Sequence, residues 1–203
     1  MRIRFIGGEG AAAGSMTLLE TEKANLLIGC GLSRSGGRAT IRRNRRFLFD
    51  PSMIQAVVLT DGGPEHAGNL PTLVRAGFRG PIYGTPSTCG LCGPMLAGIA
   101  REQREQAEGM RGLFRGADPL FDAANVEAVL RQLVPVPIGE NFRIGEGIKG
   151  LFHDADPLLG PAGVVMEVRE WGRSKRFRFC EDTGALFQPL SAPDRAEETA
   201  LFL

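Results

Sequence analysis

The sequence predicts an α/β sandwich. Three observations predict it. Alternating apolar residues at both ends read as β-hairpins, the middle reads as strand-then-helix units, and the regular strand–helix alternation of a doubly wound sheet is missing. At 203 residues, 43% apolar and 23% charged, the chain can bury a substantial core as one unit.

The elements follow in order. "MRIRFIGG" and "GSMTLLETEKANLLIGCG" hold three short strands, with turns at Gly7-Gly8 and around Glu22-Lys23. Residues 33–46, "SRSGGRATIRRNRR", are Gly-, Ser- and Arg-rich and read as a loop. "IQAVVLT" is a buried strand, "AGNLPTLVRAG" a helix ending at Gly77, and "PIYGT" another short strand. Residues 87–111 are helical in pattern, weakened by Gly90, Gly93, Pro94 and Gly98. "DAANVEAVLRQL" is a stronger helix with Asp122 as its N-cap. "VPVPIGENFRIGEGIKGLFHDA" gives turns and two strands, and "AGVVMEVRE" pairs with "KRFRFCED" across "WGRS". Residues 188–199 form a Pro-, Ala- and acid-rich tail, and "ALFL" an apolar stub.

Charge and composition narrow the function. A net charge of +1 gives no bulk attraction to nucleic acid or membrane, so such binding needs a local patch. No apolar run approaches the ~20 residues of a membrane span. "MRIRFIGGEG" has no signal-peptide core, so the expectation is a cytoplasmic protein whose four cysteines are reduced thiols. Only two histidines are present, His66 and His153, too few for a histidine-rich dinuclear metal centre.

The chemistry concentrates in "VVLTDGGPEHAGNLPTLV". Asp61, Glu65 and His66 stand where a strand gives way to a helix, which suits a metal site. Helix-start physics accounts for the same residues: Pro64 fits a first turn and Glu65 meets the positive end of the helix dipole, worth about 0.3–1 kcal/mol. Cys89-Gly-Leu-Cys92 is a lone pair without a second pair to complete a tetrahedral site, and reads as two small side chains at a helix start, where a thiol pKa can fall. Arg34, Arg38, Arg42, Arg43, Arg45 and Arg46 make a cluster with no acid among them. It reads as a phosphate-binding loop or as a solvated one. No aromatic residue interleaves with the arginines, so base stacking is not indicated.

The chain resembles the metallo-β-lactamase superfamily, in particular the β-CASP group of RNA-processing nucleases. The resemblance rests on "MRIRFIGGEGAAAGS", "LLIGCGL", "FDPSMIQAVVLTDGGPEHAGNLPTLVRAGFRGPIYGTP", "LVPVPIGENFRI", "FHDADPLLGPAG" and "FCEDTG", in the family order and covering nearly the whole chain. It implies a four-layer αββα sandwich, here truncated to mainly its first half, without the β-CASP insertion. In the family, two zinc ions at one edge of the sheets drive phosphodiester hydrolysis.

Carried over position by position, most ligands are absent. The aspartate before Cys-Gly-Leu is Gly29. In the His-x-His-x-Asp-His run, the first histidine is Asp61, the second Gly63 and the aspartate Glu65; the last is kept as His66. The third motif's histidine falls on Pro157, and the bridging aspartate is kept as Asp182. His153 matches a strand residue and reads as structural. The resemblance therefore implies no intact dinuclear zinc site, and either no metal or one divalent ion, Zn²⁺ or Mn²⁺, on Asp61, Glu65, His66 and Asp182. Two readings follow. One is a catalytically inactive module that holds RNA on Arg38, Arg42, Arg43, Arg45 and Arg46, or pairs with an active paralogue or with itself through a sheet edge. The other is a mononuclear metal-dependent hydrolase of ribonuclease type.

Overall fold

A computed structural model describes residues 1–6, 14–34, 37–109, 118–154, 162–180 and 198–202. Two sheets lie face to face with a helical layer on one side. The first sheet runs β1 (Arg2–Phe5), β2 (Thr17–Glu20), β3 (Asn25–Ile28), β4 (Ile54–Val58), β5 (Ile82–Gly84) and β6 (Leu133–Pro135), in that spatial order. Its first three strands pair antiparallel and the rest parallel. The second sheet contains β7 (Asn141–Gly145), β8 (Ile148–Asp154), β9 (Ala162–Glu170), β10 (Arg173–Cys180) and β11 (Glu198–Phe202), ordered β11-β10-β9-β8-β7. Its pairs are antiparallel except β10 with β11.

The burial pattern explains why β2 to β4 carry consecutive apolar residues, Leu18-Leu19, Leu26-Leu27-Ile28 and Ala56-Val57-Val58. Successive side chains point to opposite faces of a strand, and here both faces are covered. Leu18, Leu27, Val57 and Leu59 point into a core beneath the helices, with Leu70, Leu73, Phe78, Leu96, Phe121 and Val129. Leu19, Leu26, Ile28, Ala56 and Val58 point the other way, against Phe152, Val164, Met166 and Phe179 of the second sheet. Phe142 and Phe152 stack within that inter-sheet core at 5.0 Å, and Tyr83 meets Phe142 at 5.0 Å. Each fully buried Leu or Phe stabilises the fold by about 1.5–3 kcal/mol.

The helices are α1 (Gly37–Arg45), α2 (Pro64–Ala67), α3 (Leu70–Arg75), α4 (Pro86–Gly109) and α5 (Ala123–Gln132). Asp122 caps α5 as expected: its carboxylate accepts from Asn125 N at 3.0 Å, and Asn125 Oδ1 accepts from Asp122 N. The described residues thus supply three layers, α, β and β, of the four that the resemblance implies. Among them no helix is long and apolar enough to cross a membrane.

Two local expectations need correction. The stretch 33–46 is not a loop throughout, since α1 occupies 37–45. Tertiary anchoring decides this: Thr40 and Asn44, four apart, share a buried face. Asn44 Oδ1 accepts from Ser33 N at 3.0 Å and Asn44 Nδ2 donates to Ser33 O at 2.9 Å. The β9–β10 turn is also tighter than "WGRS". Glu170 pairs with Arg173, leaving only Trp171 (φ 51°) and Gly172 (φ 73°) in left-handed conformations, which a two-residue hairpin turn requires. "ALFL" is more than a stub, because Ala200 to Phe202 belong to β11 beside β10. Most of the acid-rich tail, residues 188–197, lies outside the described residues.

Candidate functional site

Strand β4 delivers its C-terminal end to the edge where the resemblance places the metals. Leu59 and Thr60 are buried, Asp61 is half-buried, and the chain turns at Gly62-Gly63 into α2. Asp61 Oδ1 accepts from Gly63 N, an Asx turn that stops the strand. Gly63 is the N-cap of α2, with no side-chain cap, and Pro64 opens the helix as expected. Glu65 is exposed in the first turn and His66 half-buried near its end.

Backbone hydrogen bonds fix this turn to the first sheet. Carbonyls of Pro64, Glu65 and His66 accept from Leu32 N (2.8 Å), Ser15 N (2.8 Å) and Cys30 N (2.6 Å). Gly31 is indispensable to that contact, because a Cβ there would lie 1.7 Å from Glu65 O. Gly29, at φ +71°, sits beside the carbonyls of Ser15 and His66. The position where the family carries an aspartate is therefore a tightly packed glycine.

The geometry around Gly63 decides what the donors can do. A Cβ built there would lie 2.6 Å from Glu65 Oε1 and 2.7 Å from Asp61 Oδ1. The two carboxylates therefore close over the point from which the family's second histidine would project. The structure brings the Asp61 and Glu65 oxygens to one point, and the described residues add no third donor to them. Among the described residues no three His, Cys, Asp or Glu side chains are grouped to hold a metal ion. Asp182 and Pro157 lie outside the described residues. The described donor set does not fit a dinuclear zinc centre, since Gly29 and Gly63 have no coordinating atoms in their side chains.

Burial keeps the thiols beside this edge protonated near neutral pH. Burial raises the Cys89 thiol to about 11, against an opposing backbone hydrogen bond with Gly84. Burial, then the charges of Cys89 and Asp61, raise Cys92 to about 12. Burial also raises Cys30. The lowering expected at a helix start is overturned because desolvation outweighs the helix terminus. Cys180 contributes to β10, but its side chain lies outside the described residues. His153 faces Gly163 across β8 and β9, where a Cβ would lie 2.2 Å from the imidazole.

The arginines divide. Arg45 turns to the backbone and donates to Asp118 O. Arg42, Arg43 and Arg46 rim a groove of about 370 Å³ whose apolar walls include Ile6, Met16, Phe47 and Leu48. Arg34 is exposed, and the Arg38 side chain lies outside the described residues. Sequence reasoning missed this groove. Its signal was the apolar triplet Phe47-Leu48-Phe49 directly after the last arginine.

The two stacked sheets with a helical layer agree with comparison to known proteins. A family model described as the metallo-beta-lactamase superfamily matches residues 10–177. The chain belongs to this superfamily. Ribonuclease TTHA0252 of Thermus thermophilus is 33% identical over 145 residues, covering 71% of this chain and 30% of that protein. Transcription termination factor FttA of Cenarchaeum symbiosum is 28% identical over 136 residues, 66% of this chain and 20% of that protein. The relationship to the β-CASP RNA-processing nucleases thus holds, and the chain spans less than a third of these curated relatives. Among solved structures, the subclass B3 metallo-β-lactamase MEM-A1, from a soil metagenome library, superposes with a TM-score of 0.52. It is 14% identical over 89% of this chain and 60% of that one. Zn²⁺-bound PqqB of Methylobacterium extorquens gives 0.53 at 14% identity, over 88% of this chain and 64% of that one. Such likeness establishes the fold.

Proposed function

We propose that this superfamily member is a non-catalytic module that holds RNA on its arginine face, alone or beside an active relative. The observation that carries the loss of catalysis is the closure of Asp61 and Glu65 over Gly63, in a site whose partner position is Gly29. Two metal ions that activate water and stabilise a pentavalent phosphorus need several imidazole and carboxylate donors each, and the described residues supply a pair of carboxylates. Support for RNA comes from the relatives, one of them a ribonuclease, and from Arg42, Arg43 and Arg46 exposed along one groove. Guanidinium groups fork onto phosphate oxygens, and each contact adds to the salt dependence of binding.

A second reading keeps one divalent ion on Asp61, Glu65, His66 and Asp182, with ribonuclease activity. It is favoured by the convergence of the Asp61 and Glu65 oxygens. One experiment separates the two. Protein prepared with zinc and manganese is analysed for bound metal and incubated with labelled single-stranded RNA. The binding-module reading expects retention of RNA, no cleavage and no stoichiometric ion. One bound ion and cleavage, both abolished in Asp182→Ala, would establish the second reading instead. Arg42→Ala with Arg43→Ala should weaken RNA binding across sequences and flatten its salt slope.

A further inference from the structure

The arginine-rimmed groove is more than a charged surface. Its walls are Ile6, Met16, Phe47 and Leu48, and its lip carries Arg42, Arg43 and Arg46. A volume of about 370 Å³ lies within the range of roughly 300–1,000 Å³ typical of small-molecule sites. A purely electrostatic phosphate track has no need of an apolar recess between its cations. Exposure of Leu48 at 71% and Ile41 at 51% leaves more uncompensated apolar surface around the same helix end.

The polar groups nearest the recess are already committed. Asn44 and Ser33 both line it, and they bond each other through Ser33 N to Asn44 Oδ1 and Asn44 Nδ2 to Ser33 O. Asn44 O in turn accepts from Asn69 Nδ2 at 3.1 Å. The recess therefore offers mainly apolar contact, and the groups left to hydrogen-bond a ligand are the guanidinium groups that line it and one remaining Nδ2 hydrogen of Asn44.

We propose that this groove receives one unstacked base of a single-stranded RNA, with the flanking phosphates on Arg42, Arg43 and Arg46. The inference rests on the RNA reading and deepens it, adding a base-stacking subsite that does not discriminate among bases. Bases splayed from single strands stack on aromatic rings and guanidinium planes, and the flat faces that do so are common to all four. The lack of aromatics interleaved with the arginines gave no indication of base stacking from the sequence, so the proposal goes beyond that reading. Phe47 follows the arginines in sequence and lines the same groove as Arg42, Arg43 and Arg46.

The test uses the full chain and fluorescein-labelled ten-nucleotide RNAs at one fixed ionic strength: oligouridylate, oligoadenylate, and an abasic oligomer with the same ribose-phosphate backbone. The base-bearing oligomers should bind about tenfold more tightly than the abasic one, as a single stacking contact supplies, and within about threefold of each other. Leu48→Asn, at an exposed position and checked by an unchanged melting temperature, should bring oligouridylate down towards the abasic value and leave the abasic affinity in place. Arg43→Ala should weaken all three alike. Equal affinity for base-bearing and abasic oligomers would overturn the base subsite while leaving the RNA reading intact. A preference of a hundredfold for one base would overturn it too, because such a ratio would mean that the guanidinium groups or Asn44 read a base edge in place of non-discriminating stacking. Binding of none of the three would remove the RNA reading itself, and the subsite with it.

Discussion

At the scale of single residues, glycine geometry governs this site. Gly31 lets the β3 end approach the carbonyl of Glu65, and the obstruction there is backbone, which cannot swing aside. Gly31→Ala should therefore cost about 3 kcal/mol or more, seen as a large drop in the urea midpoint. Gly63 differs, because the atoms that crowd it are the far ends of two side chains. Gly63→His should leave the fold intact with a melting temperature shifted by only a few degrees. The thiols give a prediction in pH. Cys89 and Cys92 titrate in the fold near 11 and 12, against 9.0 without the surroundings. Between those values the unfolded chain has lost protons that the folded one still holds. Stability is then full below about pH 9 and falls as pH climbs towards 11–12. Denaturation midpoints measured from pH 7 to 10.5 should decline only above 9, and Cys89→Ser with Cys92→Ser should lessen the decline.

At the scale of elements, α1 shows how tertiary contacts override composition. Glycine and serine precede it, and its six-arginine neighbourhood favours solvation, yet the helix forms. Arg42, Arg43 and Arg45 occupy its last turn, where positive charge complements the helix dipole. Asn44 ties it to both Ser33 and Asn69. Asn44→Ala would strand the buried polar groups of Ser33, at about 2–4 kcal/mol, and loosen the arginine face. Its checks are a urea melt and proteolysis between Arg42 and Arg46, which should quicken. Helix α5 shows the opposite case. Its capping box is local, formed by Asp122 and Asn125 alone, and the sequence identifies its cap without help from the fold.

At the scale of the whole molecule, two cores share one sheet. Strands β3 and β4 present alternate residues to each core, so both cores must open before their amides meet water. Hydrogen exchange should be slowest for Leu26–Ile28 and Ala56–Leu59, with β1 and β11, at the sheet edges, among the fastest of the strands. Much of this architecture was legible beforehand. The apolar run "IQAVVLT" predicted a buried strand at β4, and the hairpins at either end predicted the sandwich. The missing donors at Gly29 and Gly63 were legible too, since a side chain that lacks a coordinating atom lacks it in any fold.

Sequence alone determined the class of fold, the helix cap at Asp122 and the lack of donor atoms in the Gly29 and Gly63 side chains, because these depend on periodicity, local hydrogen bonding and side-chain chemistry. Tertiary structure alone decided that 37–45 is helical, that Asp61 and Glu65 close over Gly63, and that Phe47 and three arginines line one groove with Ile6 and Met16. Those facts depend on where distant segments pack, and Ile6, Met16 and Leu48 meet only once β1, β2 and the end of α1 are brought together.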